Sequence, residues 1–406
     1  MVNDVFTPAE ILLPSNDLMN LWSVIACDQF SSEREYWQSV RSQIGDAPST
    51  LNMIIPEAYL GEIDEEAAIE KICASMDEYV SQGILREITS SFVYVERTLG
   101  DGSVRKGIVG AVDLEEYEFR GTDAAILASE ATVLDRLPAR IRIRRAAQLE
   151  IPHIMAFIDD VDATIIEPLA GKTDSLPQLY NFKLMESGGY IAGWQVTGTY
   201  AESVMNAIRV LQTKNRTLIV IGDGNHSLAS AKVFWDEIKQ SLNPEERETH
   251  PARRALLEIN NVYDPSIVFE AIHRVAFGID PTDFETAFKE AMPAGGNYEL
   301  RWVAGSRGGT VGIYADCIGD VVKTVQSFLD DIIERKGCTI DYVHDEDSVI
   351  KLGSKPDCAG IILPAMDKSD LFDTVTTKGI FPKKSFSVGH ARDKRYYLEC
   401  RKITAT

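Results

Sequence analysis

The chain is short of positive charge. Against 62 Asp and Glu it carries 41 Lys and Arg, a formal net charge of −21 at pH 7. Nucleic-acid affinity rests on cationic contacts to phosphates, so this balance argues against nucleic acid as a partner, and against an anionic membrane surface for the same reason. Long apolar runs are missing too: nothing approaches the roughly 18 to 20 residues of a spanning helix. The opening Met1-Val2-Asn3-Asp4-Val5-Phe6 lacks a cationic segment followed by an apolar one, so no secretory signal is read and a cytoplasmic protein is expected. The six cysteines, at 27, 73, 317, 338, 358 and 400, include no Cys-x-x-Cys. That argues against a zinc ribbon, an iron-sulfur site or a redox dithiol and for six reduced thiols. His153, His250, His344 and His390 share no metal-ligand spacing, so no zinc is assigned. A Gly-x-Ser-x-Gly elbow, a Walker loop and a Gly-x-Gly-x-x-Gly fingerprint are all absent. Internal repeats and low-complexity segments are absent as well.

What remains is an ordinary folding composition, 45% hydrophobic and 25% charged, able to bury a large core. Short strands alternate with helices, which predicts an α+β (mixed α/β) fold. Ser31 or Ser32 is expected to cap a helix bearing Trp37, Val40 and Ile44 at helical spacing. Residues 65–82 read as an amphipathic helix. Residues 88–97 and 104–113 read as a strand pair across Leu99-Gly100-Asp101-Gly102, because Asp-Gly between strands is a hairpin signal. Residues 128–150 read as a helix kinked near Pro138. If it continues, Arg136, Arg140 and Arg144 share one face with Arg142 and Arg145 beside it. Two explanations stand: neighbouring acids neutralise them, or they form an anion-binding face. A domain boundary is expected near Gly278, giving 1–278 and a smaller α/β domain 279–406 whose last strand, 396–402, returns to the core.

The most informative piece runs from a short buried strand at 217–221 into Gly222-Asp223-Gly224-Asn225-His226, with Ser227 opening a helix through Ile238. Glycines let a backbone approach a ligand, and a helix start offers N–H groups and partial positive charge to an anion. Asp223 is discordant beside a phosphate unless it holds Mg²⁺ or takes a proton. His226 suits a general acid or base, or a phosphate ligand. The alternative is a plain strand-to-helix turn in which Asp223 and Asn225 cap backbone groups.

The run Val220-Ile221-Gly222-Asp223-Gly224-Asn225-His226-Ser227-Leu228-Ala229-Ser230-Ala231 resembles the signature loop of the bacterial and archaeal family called domain of unknown function 1015, with its Asp-Gly-His-His-Arg opening a helix. Ser129-Glu130 through Leu134-Asp135-Arg136-Leu137 resembles that family's His-Glu and Asp-Arg region. Ile272-His273-Arg274-Val275 resembles its His-Arg strand, and Phe381-Pro382-Lys383-Lys384-Ser385 its Pro-Lys-Ser motif. The loop is in turn similar to the nucleotide-phosphate loop of the superfamily that includes ParB CTPases, sulfiredoxin and an ADP-dependent free-serine kinase. The resemblance implies a ParB/sulfiredoxin-like core, a nucleotide cofactor (ADP or ATP) and Mg²⁺ held at Asp223. Asp223, Gly224 and His226 match the family loop, while Asn225 replaces its first His and Ser227 its Arg. The phosphate-clamping cation would then come from Lys232, Arg136, Arg140 or Lys214. Sulfiredoxin chemistry is disfavoured because Asn225 stands where its Cys would be.

The superfamily kinase keeps an acidic base in the first polar turn, where this chain has Asp28 and Glu33; the alternative for both is helix capping and dipole pairing. His273 and Arg274 are candidate cleft residues, with a backbone-satisfied strand end as the alternative. Lys383, Lys384 and Ser385 form a small basic patch. The expected function is nucleotide- and Mg²⁺-dependent phosphoryl transfer to a small hydroxylated metabolite, with His226, Asp223 and Asp28 or Glu33 catalytic. Gly222, Gly224, Asn225 and Ser227 would serve the nucleotide. The alternative is a non-catalytic nucleotide- or metabolite-binding module, for which a homodimer is an open option. A phosphate-ester or amide hydrolase is a third, weaker reading.

Overall fold

The computed structural model describes residues 4–132, 137–292 and 295–405. The fold is mixed α/β, and the chain divides into two compact units. The first comprises Met1–Ala128, Thr132–Ile267 and His390–Thr406; the second Ser129–Ala131 and Val268–Gly389. Gly278, where a boundary was expected from sequence, therefore lies inside the second unit.

The first unit is built on an 11-stranded sheet. Its order is Tyr117–Glu118, Ile126–Ala128, Ile219–Asp223, Met155–Ile158, Arg254–Asn261, Val104–Asp113, Arg86–Thr98, Tyr190–Val196 and Gln178–Lys183, with Phe6–Thr7 and Ala9–Leu13 paired alongside. The expected hairpin is present. Val93 pairs with Val109 and Thr98 with Val104, and Asp101 Oδ1 accepts from Ser103 N–H and Oγ–H at 2.8 and 2.7 Å. Gly102 takes the φ of +87° that closes the turn. Central strands are buried on both faces: Met155, Ala156, Phe157 and Ile158 have at most 1% exposure. That demands continuous apolar runs rather than alternation.

Residues 128–150 are not one kinked helix. Ile126–Ala128 is a strand beside Ile219–Asp223, and the helix is Leu137–Ala146. Pro138 stands in its first turn, where the missing N–H has no acceptor to lose. This helix packs on the helix Asn225–Ile238. The C-terminal segment belongs to the first unit: Arg401–Lys402 pairs antiparallel with Leu149–Glu150, and Tyr396 bridges to Ile25.

An ionic seam runs beneath the returning segment. Arg395, 4% exposed, donates to Glu258 at 2.8 Å, Glu399 at 2.7 Å and the Pro152 carbonyl at 2.7 Å. Arg401 Nε donates to Glu150 at 2.7 Å. Buried charges persist only when paired and hydrogen-bonded in this way.

The second unit carries a five-stranded sheet, ordered Arg307–Ile313, Tyr298–Ala304, Cys358–Ile362, His273–Phe277 and Thr339–Val343, all neighbours antiparallel. Among the described residues four helices accompany it, Ile318–Lys336 one of them. Among the described residues no helix is long and apolar enough to cross a membrane. The six cysteines, all described, are free thiols.

Candidate active site

The site grows from one strand-to-helix junction. Ile219–Asp223 lies between a parallel partner, Ile126–Ala128, and an antiparallel one, Met155–Ile158. Gly222 packs against Phe157, whose Cε2 lies 2.2 Å from where a Cβ would stand. Gly224 adopts φ +81° and occupies the cap position of the helix Asn225–Ile238. The helix therefore starts two residues earlier than expected, placing His226 and Ser227 in its first turn. Gly224 has no side chain to cap with, and a glycine at the start of a helix is the form phosphate loops take. Ser230 Oγ–H donates to the His226 carbonyl at 2.7 Å, fixing that first turn.

Asp223 ends the strand. Its Oδ1 accepts from Gly224 N–H at 2.9 Å, while its Oδ2 is buried without a hydrogen-bond donor and lies 3.5 Å from Lys394 Nζ. Both side chains are largely buried, at 16% and 10% exposure.

Asp28 belongs to the same cluster. Burial alone would favour its neutral acid, but His153, the Gln29 amide, Arg140 and Lys394 outweigh that and hold the carboxyl below its ordinary value. Asp28 is therefore ionised at neutral pH. Next to it, burial and the Asp28 charge push the Cys27 thiol up to about 12, so no thiolate nucleophile is available.

Beside the helix start lies a cavity of about 140 Å³. Cys27, Glu57, Arg140, His153, Ser227 and Tyr397 belong to its polar lining, with Arg144, Glu150 and Ser230. Arg140 and Glu57 pair at 2.5 Å, the His153 ring meets Tyr397 edge-on at 5.1 Å between centroids, and Tyr397 Oη accepts from Cys27 N–H at 3.3 Å.

Asp28, Asp223, Arg140 and Ser227 thus come together around the loop that also carries Gly222, Gly224, Asn225 and His226. Other expected residues go elsewhere. Glu33 is exposed at the cap position of the helix Arg34–Ile44 and makes no side-chain cap bond, and the expected Ser31 or Ser32 cap is not made. Lys232 is paired with Asp236 at 3.0 Å and Lys214 with Asp162 at 3.2 Å. Arg136 lies outside the described residues. The remaining arginines of its helix are neutralised by acids: Arg142 by Glu65, Arg144 by Glu150 and Arg145 by Glu237. Among the described residues each arginine of the row is matched by an acid, as the neutralised alternative expects.

His273 and Arg274 belong to the second unit and are satisfied there. His273 Nδ1 accepts from Leu363 N–H at 3.1 Å, which requires the neutral ring, and burial lowers its pKa. Arg274 lies over the Tyr342 ring at 4.6 Å, and burial lowers it to about 10. The Glu130 carboxylate accepts from Ser385 N–H at 3.1 Å, and Phe381 N–H donates to the Ser129 carbonyl at 2.7 Å. Ser129-Glu130 and Phe381–Ser385 hold one another inside the second unit.

Sequence reading missed Lys394, His153, Glu57 and Tyr397. The one available signal was Lys394-Arg395-Tyr396-Tyr397, two cations and two phenols in a row near the end of an acidic chain.

A family model described as a protein of unknown function, DUF1015, matches residues 7–398. Among solved structures, free serine kinase in complex with AMP is similar at 11% identity, covering 72% of this chain and 91% of that one, with a TM-score of 0.40. A conserved hypothetical protein from Pyrococcus furiosus is similar at 12% identity, covering 72% and 94%, with a TM-score of 0.35. SbnI with a C-terminal truncation, from Staphylococcus aureus, is similar at 10% identity, covering 69% and 82%, with a TM-score of 0.36. No curated protein matches by sequence.

Proposed function

The chain belongs to the DUF1015 family, and we propose that it is a cytoplasmic, nucleotide-dependent phosphotransferase acting on a small hydroxylated metabolite. The observation that carries this reading is the convergence of Asp223 and the ionised Asp28 on Lys394 at a glycine-capped helix start. Phosphoryl transfer needs little covalent help from a protein; it needs positioning and charge neutralisation.

In this reading the N–H groups of the first helical turn, with His226, receive the nucleotide phosphates. The acceptor hydroxyl oxygen attacks the terminal phosphorus, forming one P–O bond as the P–O bond to the leaving nucleotide breaks. Asp28 accepts the hydroxyl proton, and Lys394 offsets charge on the leaving phosphate. Mg²⁺ suits this site as a co-ligand of phosphate rather than as a caged ion. Asp223 Oδ2 is a buried oxygen without a hydrogen-bond donor, and among the described residues no group of three or more His, Cys, Asp or Glu could hold a metal. That is the usual Mg²⁺ arrangement, one or two carboxylates with substrate phosphates completing the shell, and it would supply charge neutralisation.

The test is ³¹P NMR of ATP or ADP incubated with the protein, Mg²⁺ and a panel of hydroxylated metabolites. Formation of a phosphate ester, lost in Asp28→Asn, supports the reading. A nucleotide that binds and stays intact with every acceptor contradicts it, and leaves a non-catalytic nucleotide-binding module.

A further inference from the structure

The cavity beside the loop has two chemically different ends. Its polar lining gathers around Arg140, whose charge is felt by Cys27, Glu57 and Tyr397. The rest is mostly hydrocarbon, with Met53, Ile54, Met76, Ile143, Ala147 and Leu149, and holds besides Ser230 the Arg144–Glu150 ion pair. These residues come from the helices Glu65–Ser81 and Leu137–Ala146 and from neighbouring chain, and most are fully buried. Its volume of about 140 Å³ is close to that of an engineered cavity of roughly 150 Å³ that accepts benzene. The charges in its wall sum to zero, because Arg140 is matched by Glu57 at 2.5 Å and Arg144 by Glu150. A ligand with an unmatched charge would bury it against these closed pairs at a large desolvation cost.

We infer that this cavity is the acceptor pocket of the phosphotransferase proposed above, on which reading the inference rests, and that the acceptor is a hydroxylated compound of zero net charge with a hydrocarbon body of about six heavy atoms. The hydrocarbon body lies among Met76, Ile143 and Ala147, and the hydroxyl lies at the polar end, beside Ser227 of the loop helix and His153. Sugars and polyols are disfavoured, since each extra hydroxyl would be buried against Met and Ile side chains without a partner.

The experiment is calorimetric titration of the full chain, without nucleotide, with benzyl alcohol, cyclohexanol, glycerol, inositol and benzoate. Saturable binding of a neutral apolar-bodied probe is expected, with glycerol, inositol and benzoate at least tenfold weaker. Ala147→Leu, which fills the apolar end, should weaken the preferred probe at least tenfold while the response to Mg²⁺-nucleotide is unchanged. Ile143→Trp serves the same purpose if the first variant does not fold. Equal binding of inositol, tighter binding of benzoate, or retention of the probe by both filled variants overturns the assignment. Nucleotide binding with no probe binding overturns the cavity assignment alone and leaves the phosphotransferase reading standing. Probe binding with no nucleotide binding overturns the acceptor role together with that reading.

Discussion

Lys394 Nζ stands 3.5 Å from Asp223 Oδ2, joining the end of the loop strand to a segment that returns near the C-terminus. The pair is mostly buried and has a second carboxylate, Asp28, within electrostatic reach. Two acids on one lysine leave an excess of negative charge, which is the situation a phosphate accompanied by Mg²⁺ would resolve.

Lys394→Met should expose this dependence. Asp223 loses its cation while its Oδ2 stays buried, so the variant should be less stable by about 1–3 kcal/mol in urea unfolding at pH 7. Any nucleotide response should disappear. Unchanged stability would mean that Asp223 relaxes into solvent without the lysine.

Asp28 gives a pH signature. Its folded pKa is held below the ordinary value, so it contributes stability that is present above the unfolded Asp value of about 3.9 and is lost as pH falls through the lower folded value. Asp28→Asn should flatten the acid limb of the stability curve below about pH 4 and leave the limb above pH 6 parallel to the parent.

His273 acts at milder acidity. Burial lowers its folded pKa, so the stability it contributes is present above the unfolded His value of about 6.5 and declines as pH falls from there through the folded value. The urea midpoint should drop between pH 7.5 and 5.5, and His273→Asn should remove part of that drop. A midpoint equally steep in the variant would assign the drop to other groups.

Arg395→Met should be among the most damaging single changes, by about 3–5 kcal/mol, because Glu258 and Glu399 would remain buried without their shared cation. Adding Glu399→Gln should recover part of the loss, a coupling read from the double-mutant cycle.

Gly224→Ala places a side chain at φ +81° and its Cβ 3.0 Å from Ile154 Cα, so a loss of more than about 1 kcal/mol is expected. Gly171→Ala is the control: nothing lies within 4 Å of its added Cβ, and its effect should stay within about 0.5 kcal/mol.

What could be read from sequence was local. The Asp101-Gly102 hairpin and the strand, glycine and helix of the loop are specified by residues only a few positions apart. The site's other half is not local: Cys27 and Tyr397 are 370 residues apart and meet through one hydrogen bond. The helix began at Asn225 rather than Ser227 because Gly224 itself takes the left-handed cap conformation, which a preference for serine caps conceals. The arginine row on Leu137–Ala146 suggested an anion face because its acidic partners, Glu57, Glu65 and Glu237, lie far off in sequence. Lys394 could be recognised only once the C-terminal segment was placed against the sheet.

The most direct test of the central claim is a thermal-shift titration with ATP, ADP, CTP and GTP, each with and without Mg²⁺. Because a ligand that binds only the folded chain raises its transition by mass action, the account predicts a Mg²⁺-dependent rise with one nucleotide, absent in both Asp223→Ala and His226→Ala. No rise with any nucleotide at millimolar concentration, or a rise that both variants retain, would contradict it and make the loop a structural turn.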